Sequence, residues 1–127
     1  MTAYLIVFLG AGLGGMLRHG VNVGCARWCG TEFPWGTMTI NILGSLVMGL
    51  VAGWLAFRAS ESWTQNARLF LMTGILGGFT TFSAFSLDTM LLWERGQTGA
   101  ALTYVLVSVL GSILALAAGL ALVRTLS

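Results

Sequence analysis

Charge is what this sequence has least of. Only 8% of its 127 residues are charged, and lysine is missing altogether. A water-facing domain carries roughly 25% charged residues, so the composition excludes a surface that water could wet. Histidine occurs once, at His19, and cysteine twice, at Cys25 and Cys29. A spacing of four fits neither a CxxC zinc pair nor a thioredoxin motif, and no second pair follows. The ordinary reading of the two thiols is small side chains near a helix end. The single proline is Pro34, and no acid lies deep in the first, second or fourth apolar stretch. No catalytic constellation is present, and no enzymatic activity is expected.

What the chain does have is apolar length. Hydrophobic residues make up 57% of it, and a helix needs about 20 residues to cross the hydrocarbon core. Four such stretches are visible, at about 3–25, 38–57, 69–93 and 99–123. They predict an all-α integral membrane protein, one four-helix domain over residues 1–127 with both termini on one side. The first run lacks a basic start and a small-residue cleavage site, so it reads as a span and not a secretory signal. "RASESWTQNAR" joins spans two and three, and "WERGQTG" turns span three into span four with Gly96 as its C-cap.

The arginines hardly choose an orientation. Arg58, Arg68 and Arg124 lie on the N-terminal side; Arg27 and Arg95 lie opposite, with Arg18 if it snorkels that way. Topology follows such a bias, and here it is close to balanced. Charge alone leaves open one fixed orientation or dual insertion with assembly as an antiparallel dimer. Small residues recur every four positions in Gly10–Gly14, Gly20–Gly24, Ser45–Gly49–Gly53, Gly74–Gly78 and Gly111–Ala115–Gly119. Such faces let helix backbones approach closely in lipid, which predicts tight packing and oligomerisation. A pathway would form more naturally at a subunit interface than inside four short helices.

"YLIVFLGAGLGG" imitates a dinucleotide fingerprint, with Gly10, Gly12 and Gly15 in GxGxxG spacing and Glu32 downstream. That motif needs a βαβ unit, whereas the continuation here is more membrane helix, and the reading is rejected. Polar residues inside the spans say more, because each needs a partner away from lipid. Chief among them are Arg18, Asn41, a hydroxyl cluster with Asp88 in span three, and Tyr104, Ser108 and Ser112 in span four. The last three are four apart and share one helix face. Helix-gluing serines explain any one of them; a polar track explains the row equally well. Asn, Ser, Thr and Tyr donate hydrogen bonds without a fixed charge, which suits a small anion that must both bind and leave.

The segment "GGFTTFSAFS", residues 77–86, breaks the apolar pattern most sharply. Gly77–Gly78 before Thr80–Thr81 reads as an interrupted helix, tolerated at membrane depth where it is buried or lines a site. Its freed carbonyls are hard ligands for a cation; a simple kink relieved by threonine is the plainer account. Phe82 and Phe85, three apart, offer positive ring edges to an anion, and periodicity alone favours ordinary packing.

"GAGLGGMLRH", "PWGTMTINILGS" and "TGILGGFTTFSAFS", with the Tyr-Ser-Ser row, resemble the signature segments of the Fluc (CrcB-like) fluoride channels along essentially the whole chain. The resemblance implies an antiparallel, dual-topology homodimer with a broken third helix and two pores, in the bacterial inner membrane. It implies Phe82 and Phe85 as pore phenylalanines, Asn41 as the pore asparagine, and Tyr104, Ser108 and Ser112 as track hydroxyls. Arg18 matches the vestibule arginine. Gly77 and Thr80 match positions whose backbone carbonyls, from both subunits, hold a structural sodium ion. Thr39, Thr81, Ser83 and Ser86 fall at matching hydroxyl positions.

Three departures stand out: Ala84 where relatives often have Thr, Asp88 where they have Glu, and Leu116 as the next member of the hydroxyl row, which shortens the track. The resemblance implies passive export of cytoplasmic fluoride, with lipid, fluoride and a second copy of the chain as partners and no nucleic acid. A small multidrug-resistance type exporter is the runner-up, but such carriers depend on an acid in the first span, and none is here. A non-transporting assembly subunit is the third reading, in which the polar residues only join helices.

Overall fold

Each apolar run becomes a helix longer than its apolar core. In a computed structural model that describes residues 1–126, α1 covers Thr2–Cys29 and α2 covers Trp35–Ala56. The third span, Thr64–Glu94, is assembled from pieces. These are α3 (Thr64–Arg68), a π-helical stretch Leu69–Leu76, α4 (Gly77–Phe79) and α5 (Phe82–Glu94). The chain closes with α6, Thr98–Leu126. All four spans are long and apolar enough to cross a membrane; the molecule is all-helical and multi-pass.

Glycine ends the two helices that stop on the α1 C-terminal side. Gly30 leaves α1 at φ 83° and Gly96 follows α5 at φ 80°, conformations that a Cβ would strain. After α5 the Gly96 amide donates to the Trp93 carbonyl at 3.0 Å and the Gln97 amide to the Leu92 carbonyl at 3.0 Å. This nested pair caps the orphan carbonyls of the helix end, so Gly96 sits where the sequence places a cap. At the other end, Arg58 pairs with Glu61 at 3.7 Å, the Trp63 indole donates to Glu61, and the Thr64 hydroxyl donates to the Arg58 carbonyl. The α2–α3 connection is thereby tied down, and the polar "TQNAR" becomes a helical turn.

The small residues are used mainly inside the subunit. α1 packs on the π-helical stretch and α2 on α6. A Cβ on Gly10 would lie 2.7 Å from the Phe70 carbonyl oxygen and 2.9 Å from Gly74 Cα; one on Gly78 would lie 2.5 Å from the Ala11 carbonyl oxygen. On the other side, Gly49 and Gly119 sit against α6 and α2 backbone, respectively. Gly20 and Gly24 meet nothing within 4 Å and stay open on α1. Successive spans alternate in direction, so α2 and α6 run parallel. A buried cluster of Phe85, Leu92, Ala101 and Tyr104 joins α5 to α6.

The glycine pair is not where the third span leaves helical geometry. Gly77 and Gly78 are helical; Thr80 (ψ 156°) and Thr81 (φ −152°, ψ 126°) are extended, and the helix restarts at Phe82. The glycines admit α1, and two residues later the backbone opens.

Candidate functional site

An extended pair of residues inside an apolar span leaves backbone groups to be satisfied. Asn41 of α2 does this for Thr81. The Thr81 amide donates to Asn41 Oδ1 at 2.9 Å, and Asn41 Nδ2 donates back to the Thr81 carbonyl at 3.0 Å. The two bonds fix which way the Asn41 amide faces. They also divert the Thr81 N–H from the Gly77 carbonyl, to which an uninterrupted helix would carry it. Thr81 Oγ1 then accepts from the Ala84 amide at 3.2 Å as the N-cap of α5. The Thr80 hydroxyl returns to the Leu76 carbonyl at 2.9 Å.

Asn41 keeps a second Nδ2 hydrogen and lines a cavity of about 270 Å³ together with Phe82, Phe85, Ser108 and Ser112. Ser45 and Thr81 also border it, and no lining residue is ionisable. Phe85 is buried, whereas Phe82 is 76% exposed on the single chain. The two rings lie 5.6 Å apart at 49°.

The hydroxyls of this region fall into two groups. Ser86 donates to the Phe82 carbonyl at 3.0 Å, Thr89 to the Phe85 carbonyl at 2.8 Å, and Thr80 behaves likewise. This back-bonding is the usual retreat of a hydroxyl on a helix in lipid. Ser108 and Ser112 do not take it. Both Oγ atoms are buried and have no hydrogen-bond partner among the described residues, and Ser108 is only 4% exposed. A buried hydroxyl left unsatisfied costs about 1–3 kcal/mol, so two on one cavity mark a place built for a hydrogen-bond acceptor.

Tyr104, the first member of the row, stands apart from that cavity. It is fully buried, donates its hydroxyl to Asp88 Oδ2 at 3.2 Å, and packs against Phe85 and Phe33 with ring centroids 5.2 and 5.5 Å away. Asp88 opens instead onto a larger recess of about 460 Å³ with Asn22, Thr37 and Arg95. Arg18 lines a third recess with Asn22, Thr81 and Ser83, and makes no hydrogen bond or ion pair among the described residues. Ser83 lies 3.3 Å from the Thr81 hydroxyl. Asn22 borders the second and third recesses, and Thr81 the third and first. Shared lining residues thus relate the three hollows in order, from the end holding Arg95 to the serines.

Thr39 is exposed and borders none of them, while Thr37 is buried at 6%. Helical period explains the difference. Thr37 is one turn before Asn41 on the same face, and Thr39 is rotated roughly 200° from Asn41. Thr37 and Ser45, each four residues from Asn41, are cavity-lining residues that motif matching passes over, and counting in fours from Asn41 finds both. No group of three or more His, Cys, Asp or Glu residues that could hold a metal occurs among the described residues.

Four spans of alternating direction around polar hollows, one of them lined by no ionisable residue, define a small multi-pass membrane protein whose function is to pass or hold something polar. The chain belongs to the CrcB family: the model for the CrcB-like protein, Camphor Resistance (CrcB), matches residues 5–120. It is 60% identical over 124 residues to the fluoride-specific ion channel FluC 2 of Nitrobacter hamburgensis, covering 98% of each chain. A FluC of Rhodopseudomonas palustris strain BisB5 is also 60% identical over 98% of each chain. That of Granulibacter bethesdensis is 57% identical over 126 residues, 99% of this chain and 98% of the relative. These relatives are named as ion channels, not enzymes.

Proposed function

We propose that this chain is a fluoride-selective channel that lets cytoplasmic fluoride leave passively and so relieves its toxicity. The observation that carries the reading is the pair of buried, unpartnered hydroxyls, Ser108 and Ser112, on a cavity shared with Asn41 and two phenylalanine rings. Fluoride is small and tightly hydrated. A path for it has to exchange water for close donors: the hydroxyls, the remaining Asn41 N–H, and the positive ring edges of Phe82 and Phe85. All are neutral, so the ion is bound without being held by a fixed charge. Arg18 supplies positive potential at the adjoining recess, beside Thr81 and Ser83. Tyr104 belongs to the same route through its bond to Asp88, at the recess beyond.

The functional unit is an antiparallel, dual-topology homodimer with two pores, in the bacterial inner membrane. The near balance of arginines supports it, as does Phe82, an aromatic ring left 76% exposed beside polar groups that a second copy would cover. The broken third span is the centre of this assembly. The Thr81 amide, turned to Asn41, releases the Gly77 carbonyl, and the extended Thr80 turns its own carbonyl out of the helix. Carbonyl oxygens of this kind suit a hard monovalent cation, and a structural sodium ion held by Gly77 and Thr80 of both copies fits them. Its work would be to hold the subunits together.

Release from proteoliposomes loaded with potassium fluoride, followed with a fluoride-selective electrode, tests the function. The expected result is fast fluoride efflux upon addition of a potassium ionophore, with chloride retained and no need for a pH gradient. Vesicles that keep their fluoride would overturn the proposal, and efflux that requires a proton gradient would point to a coupled exporter.

A further inference from the structure

We propose that Ser45 and Ser112 together form a further binding position for a small anion, at the deep end of the hydroxyl row. The inference rests on the channel reading above and extends it to a residue on α2.

The α2–α6 packing fixes the alignment. These helices run parallel, and Gly49 sits directly against the Leu116 backbone. One helical turn earlier on each helix brings Ser45 level with Ser112; another brings Asn41 level with Ser108; a third brings Thr37 level with Tyr104. Gly111 against the Ile42 side chain and Gly53 against Val123 fall within one helical turn of that register. Each rung joins one polar group from α2 to one from α6.

The rungs end where the helices touch. At Gly49 and Leu116 the two backbones leave no room for a side chain between them, and Leu116 carries no hydroxyl. Asn41, Ser45, Ser108 and Ser112 all border the 270 Å³ cavity. Ser45 also makes no hydrogen bond among the described residues. Three hydroxyls from two helices thus lack partners around one hollow, where a lone helix-gluing serine would have bonded to its neighbour or to its own turn. Leu116 ends the row on α6, and Ser45 supplies the missing donor from across the cavity. The ligand suited to three neutral O–H donors is a small, unprotonated monovalent anion.

The test is a double-mutant cycle in proteoliposomes, reading the fluoride dependence of efflux for wild type, Ser45→Ala, Ser112→Ala and the double variant. Removing one hydroxyl from an anion weakens apparent affinity by about tenfold. The expected result is a rightward shift of about that size for each single variant. The double variant should shift by clearly less than the product of the two, because both donors serve one ion. Ser45→Gly, which also lacks the hydroxyl, should behave as Ser45→Ala and guards against a packing artefact. Wild-type fluoride dependence in Ser45→Ala or Ser45→Gly, or strictly multiplicative shifts, would overturn this site while leaving the channel standing. A wild type that passes no fluoride would overturn both. A Ser45→Ala protein that elutes as aggregate while Ser45→Gly conducts normally also counts against the site.

Discussion

At the scale of the residue, Asn41 has two tasks. Its amide closes two bonds on Thr81 and still lines the cavity. Asn41→Asp keeps an acceptor for the Thr81 amide, removes the donor to the Thr81 carbonyl, and puts a negative charge where an anion must pass. Phe82→Ile keeps apolar bulk and deletes the ring edge. Fluoride efflux should fall at least about tenfold in both, the worth of one charge-assisted contact, while the protein still elutes as the wild type does; wild-type efflux from either would remove its assigned role. Asn41 stood out in the sequence as a polar group in an apolar span, whereas Phe82 was singled out through the family resemblance, periodicity alone favouring ordinary packing. The bond between Asn41 and Thr81 was not legible, since it joins positions 40 apart through a backbone conformation that side chains do not announce. Thr39 was matched by residue type, and helical phase puts it on the exposed face of the single chain, away from the three hollows. Ser45 was visible only as a small residue in a packing stripe, and its lack of a partner became apparent once α6 lay against it.

At the scale of the element, hydropathy located all four spans, yet every helix runs past its apolar limit at one end or both. α1 reaches Cys29 and the third span begins at Thr64, because polar and aromatic ends remain helical at the membrane boundary. The π-helical stretch Leu69–Leu76 had no sequence signature. The stretch includes Gly74, where α1 packs close, so it lies at a tertiary contact that hydropathy does not report. The glycine pair suggested the position of the interruption, but the break falls at Thr80–Thr81, where Asn41 can reach the backbone. This element carries the sodium proposal. Thermal unfolding of the purified protein should come at lower temperature when sodium is replaced by N-methylglucamine at constant ionic strength, with little response to the anion. An unchanged midpoint would rule out a structural sodium ion at Gly77 and Thr80.

At the scale of the whole molecule, one subunit offers only part of a pathway: adjoining hollows, an exposed Phe82, and an open face on α1 at Gly20 and Gly24. Most of the small-residue faces that suggested oligomerisation are consumed within the subunit, so the case for a dimer now rests on what the single chain leaves uncovered. The antiparallel pairing proposed above would make the two sides of the membrane equivalent. The most direct measurement is therefore current through single channels in a planar bilayer. With equal fluoride on both sides, the account predicts the same conductance at positive and negative voltage. With a tenfold fluoride gradient and equal chloride, it predicts reversal near the fluoride equilibrium potential, about 59 mV from zero. Reversal at zero, or no current at all, would contradict it.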